Sequence, residues 1–147
     1  MNFNGNVSDQ KAIAGFLYGM NPKTIVTKIA NDTIGFGRAV YRGDGETCSA
    51  TGAKFAGVSV YTSIAGGKYV KGDSVNVMEE GYLWVPVSND TGVDEGKTAY
   101  IGEGGAFAGT GTVAIGVFKS GVTLGGSADE KLALVYVNAV NASKGGE

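Results

Sequence analysis

Short apolar runs alternate along this chain with glycine, asparagine and aspartate, and the runs carry strand periodicity far more often than helical periodicity. Residues 24–29 are rich in β-branched side chains and are broken by Asn31-Asp32. Residues 35–41 alternate weakly and end at Gly43-Asp44-Gly45, a turn signal. Residues 55–61 predict a short apolar strand. Residues 74–78 and 81–87 flank Glu79-Glu80 and predict a hairpin. Val75 and Val77 would share one face of it, and Leu83, Val85 and Val87 would share one face of the return strand. Pro86 has no N–H to give to a ladder, so the return strand is expected at a sheet edge or bulged there. Residues 97–101 are a further candidate. In residues 112–119, Val113, Ile115 and Val117 fall on one face and Ala114, Gly116 and Phe118 on the other. Residues 132–139 are apolar on both faces and are expected to be central.

About eight short strands with turn residues between them predict a mainly β chain, either an antiparallel β-sandwich or a jelly-roll or barrel-like single domain. No helix of normal length follows Thr24, which excludes a parallel sheet with crossover helices. The β-domain is expected over residues 24–139, behind an N-terminal arm at 1–23 and ahead of a C-terminal tail at 140–147. In the arm, Ser8 could cap a short helix with Ala12, Ile13, Phe16 and Leu17 on one face, stopped by Gly19 and Pro22. An extended arm lying on a neighbour is the favoured alternative, because one or two helical turns do not stand alone.

Composition sharpens this picture. The 147 residues suffice for one domain with a real core. The 26 glycines suit many tight turns, and 43% hydrophobic content argues against disorder. The single cysteine, Cys48, rules out an internal disulfide and reads as a buried small residue. Twelve basic and 14 acidic residues leave the charge nearly balanced, with no basic block to bind nucleic acid. No run approaches the roughly 20 apolar residues of a membrane helix. The polar, Asn-rich start, residues 1–8, lacks the order of a signal peptide, so secretory export is not expected.

The chemistry of an enzyme is hard to find. Histidine is absent, which removes the commonest general base, thiol activator and metal ligand together. Zinc sites of the Cys/His kind fail by count. Carboxylate pairs stand at Glu79-Glu80 and Asp94-Glu95, and both read as solvated turns. The glycine clusters Gly102-Glu103-Gly104-Gly105 and Gly109-Thr110-Gly111 precede no helix and lack the Lys-Ser/Thr ending of a phosphate loop. Arg42-Gly43-Asp44 and the Asn-x-Ser/Thr sites at Asn6, Asn31, Asn89 and Asn141 read as turn and tail residues. No cofactor, metal or small-molecule substrate is expected, nor a catalytic residue. What remains is surface: Tyr82 and Trp84 should lie opposite Leu83 and Val85, and exposed aromatics of this kind mark interfaces or sugar-stacking platforms.

Three stretches resemble the cement, or decoration, proteins of tailed-phage capsids. The first is Ala12-Ile13-Ala14-Gly15-Phe16 followed by Met20-Asn21-Pro22-Lys23-Thr24. The second is Ile34-Gly35-Phe36-Gly37-Arg38-Ala39-Val40. The third begins at Phe55-Ala56-Gly57-Val58 and runs through Tyr69-Val70-Lys71-Gly72-Asp73-Ser74-Val75-Asn76-Val77 to Gly81-Tyr82-Leu83-Trp84-Val85. Gly96-Lys97-Thr98-Ala99-Tyr100 and Ile115-Gly116-Val117-Phe118 complete it. The resemblance implies a virion protein, made in the host cytoplasm, that binds the outside of the assembled head and bridges major capsid protein subunits. It implies a homo-dimer or homo-trimer, since such proteins often sit at symmetry axes. Candidate contact residues are Phe16, Leu17 and Tyr18 of the arm, with Tyr82 and Trp84 of the domain. The competing expectation is a carbohydrate-binding or adhesin-like β-module, stacking sugars on Tyr82 and Trp84 or on Tyr61 and Tyr69.

Overall fold

The structure is a computed structural model that describes residues 14, 15, 17, 23–62, 66–125 and 130–139. The arm's possible helix, its Phe16 and Tyr18, and the tail at 140–147 lie outside the described residues.

Among the described residues the chain forms ten strands: β1 Thr24–Ala30, β2 Ala39–Arg42, β3 Thr47–Ser49, β4 Phe55–Ser59, β5 Ser74–Pro86, β6 Thr98–Ile101, β7 Phe107–Ala108, β8 Ala114–Phe118, β9 Thr123–Gly125 and β10 Glu130–Asn138. The mainly β expectation holds, and the choice between sandwich and barrel falls to a barrel with added strands. Strands β1-β3-β2-β4-β5 are neighbours in that order, and β1 also pairs with β5, which closes five strands on themselves. The pairing is antiparallel except for β1 with β3, which are parallel at Ile29–Thr47 and Ala30–Cys48. Ala30, Ile34, Val40, Cys48, Val75 and Val77 fill this barrel, sealed by Tyr69. The Tyr69 hydroxyl donates to the Val60 carbonyl at 2.6 Å, so the buried ring carries no unmet polar group. Cys48 is fully buried, and burial first, then the charge of Asp32, pushes its thiol pKa up.

The predicted hairpin at Glu79-Glu80 is not a turn. Residues 74–86 are one strand of 13 residues that runs straight through the two carboxylates. Glu80 pairs with Thr24 on one edge and with Asn138 on the other. The glutamates and the following glycine imitate turn chemistry, but both edges of the segment are taken by ladders. The irregularity they do produce is a β-bulge: Ile25 faces Met78 while Thr24 faces Glu80, which leaves Glu79 as the extra residue. A bulge flips the alternation. Val75 and Val77 therefore enter the barrel, whereas Met78, Leu83 and Val85 enter a second core. Gly81 makes the crossing possible, since at φ 143° a Cβ there would meet Met78 Cε at 3.0 Å.

Beyond the bulge, the same continuous sheet runs on from β5 into a second part ordered β5-β10-β8-β6-β7, with β9 hydrogen-bonded to β10. A parallel bridge from Val87 to Phe107 brings the far strand back toward the first. Phe107, Ile115, Phe118, Val135 and Val137 fill this second core with Leu83 and Val85. Strand β10 is central, as its two apolar faces predict. β5 lies between β4 and β10, but among the described strands β1 and β4 reach it only as far as Glu80, so Pro86 has a strand on one side alone, the local edge that it predicts. Pro86 is the strand's last residue, and Val87 N–H donates to Lys131 O at 3.0 Å. Alternation turns the missing Pro86 N–H away from β10, so no rung is lost. A second bulge corrects β8. Ala99 faces Gly116 but Tyr100 faces Ala114, which brings Ile115 and Phe118 into one core and leaves Val117 at 38% exposure. Strands β3, β7 and β9 were not legible, because two or three residues cannot display an alternation.

Three further turn readings hold, while Asn6 and Asn141 lie outside the described residues. Residues 43–46 join β2 to β3, with Thr47 Oγ1 donating to Asp44 O at 2.6 Å. Asp94-Glu95 sits in a turn closed by Lys97 N–H on Asp94 O at 3.1 Å. Glu103–Gly105 forms a short 3-10 turn and opens no helix.

Candidate interaction surface

Because paired residues of an antiparallel ladder share a face, the register across β5, β10 and β8 defines the outer surface of the second part of the sheet. Tyr82 stands opposite Tyr136, and Tyr136 opposite Val117. Trp84 stands opposite Leu134. Their odd-numbered neighbours on β5 and β10 point into the core, so this row lies on the opposite face, and within the row Leu134 alone is buried. Tyr82, Trp84 and Tyr136 are half-buried and Val117 is exposed. The Tyr82 and Tyr136 rings lie 5.0 Å apart at an interplanar angle of 56°, a tilted aromatic pair.

Glu80 borders the row. The Tyr136 hydroxyl donates to the Glu80 carboxylate. That hydrogen bond, followed by burial and the carboxylate's charge, pushes the Tyr136 pKa up to about 12. Its polar tip is thus anchored while its ring stays presented, and the row gains a fixed geometry at low entropic cost on binding. Tyr136 and Val117 were missed in the sequence. Even positions of residues 132–139 mark Tyr136 as sharing a face with Leu134, but nothing local says that this face meets Tyr82.

Leu17 touches the same strand from its opposite edge. It forms an antiparallel bridge with Leu83 and keeps 39% exposure. Gly15 N–H donates to Trp84 O at 2.7 Å, and Gly15 O accepts from Tyr61 N–H at 2.9 Å. Gly15 has φ 82°, and a Cβ there would stand 2.7 Å from Tyr61 N, so glycine is required at this contact. Phe16 and Tyr18 lie outside the described residues.

The other aromatic pair expected as a platform is not one. Tyr69 is 1% exposed, in the barrel core. Tyr61 is 37% exposed and leans on Phe36, ring centroids 4.9 Å apart. A depression of about 360 Å³ between the β3–β4 connection and the Gly102–Gly105 region is lined by Tyr41, Ala50, Thr51 and glycines. Its one titratable group is Tyr41, whose pKa burial pushes up. Among the described residues no three His, Cys, Asp or Glu side chains gather to hold a metal ion, and no helix is long and apolar enough to cross a membrane.

Residues 3–138 match the family described as "Structural cement protein (E217 gp24/Pam3 gp6)". Among solved structures, the chain is similar to one described as "The crystal structure of head fiber gp8.5 N base in bacteriophage phi29". The TM-score is 0.51 at 15% sequence identity, over 80% of this chain and 96% of that one, a likeness of fold. No curated protein sequence matches the chain.

Proposed function

From the premise that this chain belongs to the phage structural cement protein family, and so is a structural component of the virion, we propose that it is a decoration protein on the outer surface of the assembled head. It bridges neighbouring major capsid protein subunits, acts as a homo-oligomer and performs no catalysis. The observation that carries this reading is the outward row of Tyr82, Tyr136 and Val117 beside Trp84, side chains that a solitary soluble domain has no reason to align on one sheet face.

The physics of the role is linkage. A protein that binds the assembled lattice better than free subunits stabilises the lattice by its binding free energy. Each contact of ordinary size buries about 1,600 Å², and many copies act together. In this reading Tyr82 and Trp84 dock on the capsid, and Leu17, with Phe16 and Tyr18, serves the arm of residues 1–23, which grips an adjacent subunit.

Co-sedimentation with heads stripped of decoration tests the reading. Saturable binding at a fixed ratio to capsid subunits, with heads that better survive heating, is expected. Trp84 is the chain's one tryptophan, so its emission should shift on binding. Tyr82→Ala with Trp84→Ala should weaken binding at least about tenfold, in keeping with loss of a central aromatic anchor. Unchanged binding by that double variant removes the surface assignment, and no binding by the wild type removes the capsid role.

A further inference from the structure

Strand β1 closes the barrel only at one end. Its pairing with β3 is confined to Ile29 and Ala30, whereas its pairing with β5 runs from Thr24 to Ile29. Ile29 N–H points toward β3, where it donates to Glu46 O at 2.8 Å, and Ala30 N–H points the other way, to Asp73 O at 2.9 Å. Alternation then aims the N–H and C=O of Ile25 and Thr27 at the same edge as Ile29. Among the described residues no strand lies there. The outer face of this edge is also open, with Ile25 at 37% and Ile29 at 40% exposure. An unpaired edge of this length, carrying β-branched residues and no bulge on its free side, is a template for another strand.

We propose that the Thr24–Lys28 edge pairs antiparallel with the same edge of a second copy of this chain, about a two-fold axis at Val26. Self-complementarity is what selects this occupant. A register centred on Val26 sets Ile25 opposite the partner's Thr27 and Thr27 opposite the partner's Ile25. Those are the two residues whose backbone groups point outward, so all four groups of each chain find partners and the contact closes as a dimer. Val26, which packs partly buried against the barrel core, meets the partner's Val26 at the two-fold axis. Lys28 falls opposite Thr24, so no like charges face each other. Lys23 falls opposite Ile29, at the end of the edge where the other copy's Glu46 stands, a carboxylate 81% exposed and 3.1 Å from Lys28. This proposal rests on the homo-oligomer part of the reading above and gives it a surface distinct from the aromatic row.

Backbone direction supplies the test. Thr27→Pro removes an N–H that points at the free edge and spares those aimed at β5. Lys28→Pro removes one aimed at β5 and should abolish folding. Ile25→Lys keeps every backbone group and sets a charge in the pairing. Sedimentation velocity of the full chain should show a concentration-dependent dimer for the wild type. Thr27→Pro and Ile25→Lys should each lose that dimer, with far-ultraviolet circular dichroism unchanged. A monomeric wild type, or a Thr27→Pro variant that folds and stays dimeric, overturns the proposal; should Thr27→Pro not fold, Ile25→Lys decides it alone. Head binding is read separately on the same samples. A monomeric wild type that still decorates heads would sink the edge pairing and keep the capsid role, and a dimer lost in both variants without any head binding would do the reverse.

Discussion

Met78 and Leu83 lie on the same side of one strand and in the same core, although five positions separate them and a regular strand would set them on opposite faces. The extra residue, Glu79, reconciles the two. Through it one strand serves the barrel with Val75 and Val77 and the second part of the sheet with Leu83 and Val85.

The bulge makes Glu79 dispensable for the facing of its neighbours. Glu79→Ala should change stability by no more than about 0.5 kcal/mol in chemical denaturation, as for a partly exposed side chain with no special backbone role. Deleting Glu79 leaves Met78 and Leu83 four positions apart, so an unbulged strand still turns Leu83 and Val85 toward the core they share with Met78, and the variant should fold. A deletion variant with no cooperative unfolding transition would show that Glu79 is not simply the extra residue of the ladder.

Core truncation should separate buried from exposed leucines. Leu83 is fully buried, and Leu83→Ala should cost about 2–5 kcal/mol. Leu124, 58% exposed on β9, should lose less than about 0.5 kcal/mol on the same change. Urea denaturation of the two variants measures the difference, and equal losses would contradict the placement of β5 at the centre.

Gly116 is held to glycine by β10. A Cβ there would overlap the Tyr136 carbonyl, which is backbone and cannot step aside without opening the β8–β10 ladder. Gly116→Ala should destabilise by about 1–3 kcal/mol or more, the range for overpacking a close contact. A wild-type melting temperature would refute the close approach.

Tyr136 should titrate late. Its folded pKa is pushed up to about 12, above an unfolded value near 10, because the neutral phenol is the form that donates to Glu80. The neutral form is the one the fold favours, so this contribution to stability is complete below pH of about 10 and is lost as pH rises through about 12. Difference titration of tyrosinate absorbance between the wild type and Tyr136→Phe isolates the group. Glu80→Gln should move its midpoint down toward the ordinary tyrosine value, and an unmoved midpoint would remove Glu80 as the cause.

Cys48 should be silent in the native protein. It is fully buried in the barrel and its thiol pKa is raised, so thiolate is scarce and access is closed. Labelling by a thiol reagent at neutral pH should be slow in the fold and rapid in denaturant. Fast native labelling would mean that the barrel opens at β3.

Much of this protein follows from local rules written in the sequence. Apolar alternation and turn residues fix β1, β4, β8 and β10 to within a few positions, because each needs only its own neighbours to show a buried face. They also expose Tyr82 and Trp84, since parity along one strand suffices to oppose them to Leu83 and Val85. Cross-strand relations are another matter. The closure of β1 on β5, the bulges at Glu79 and Ile115 and the meeting of Tyr82 with Tyr136 depend on which distant segments supply the ladder partners. A bulge leaves no local mark, because an extra residue is extra only relative to its partner strand. The sequence by itself determined a β-rich chain with an aromatic stripe. Tertiary pairing decided that the stripe is a surface row, that the strands close into a barrel, and that β1 keeps an edge on which no described strand lies.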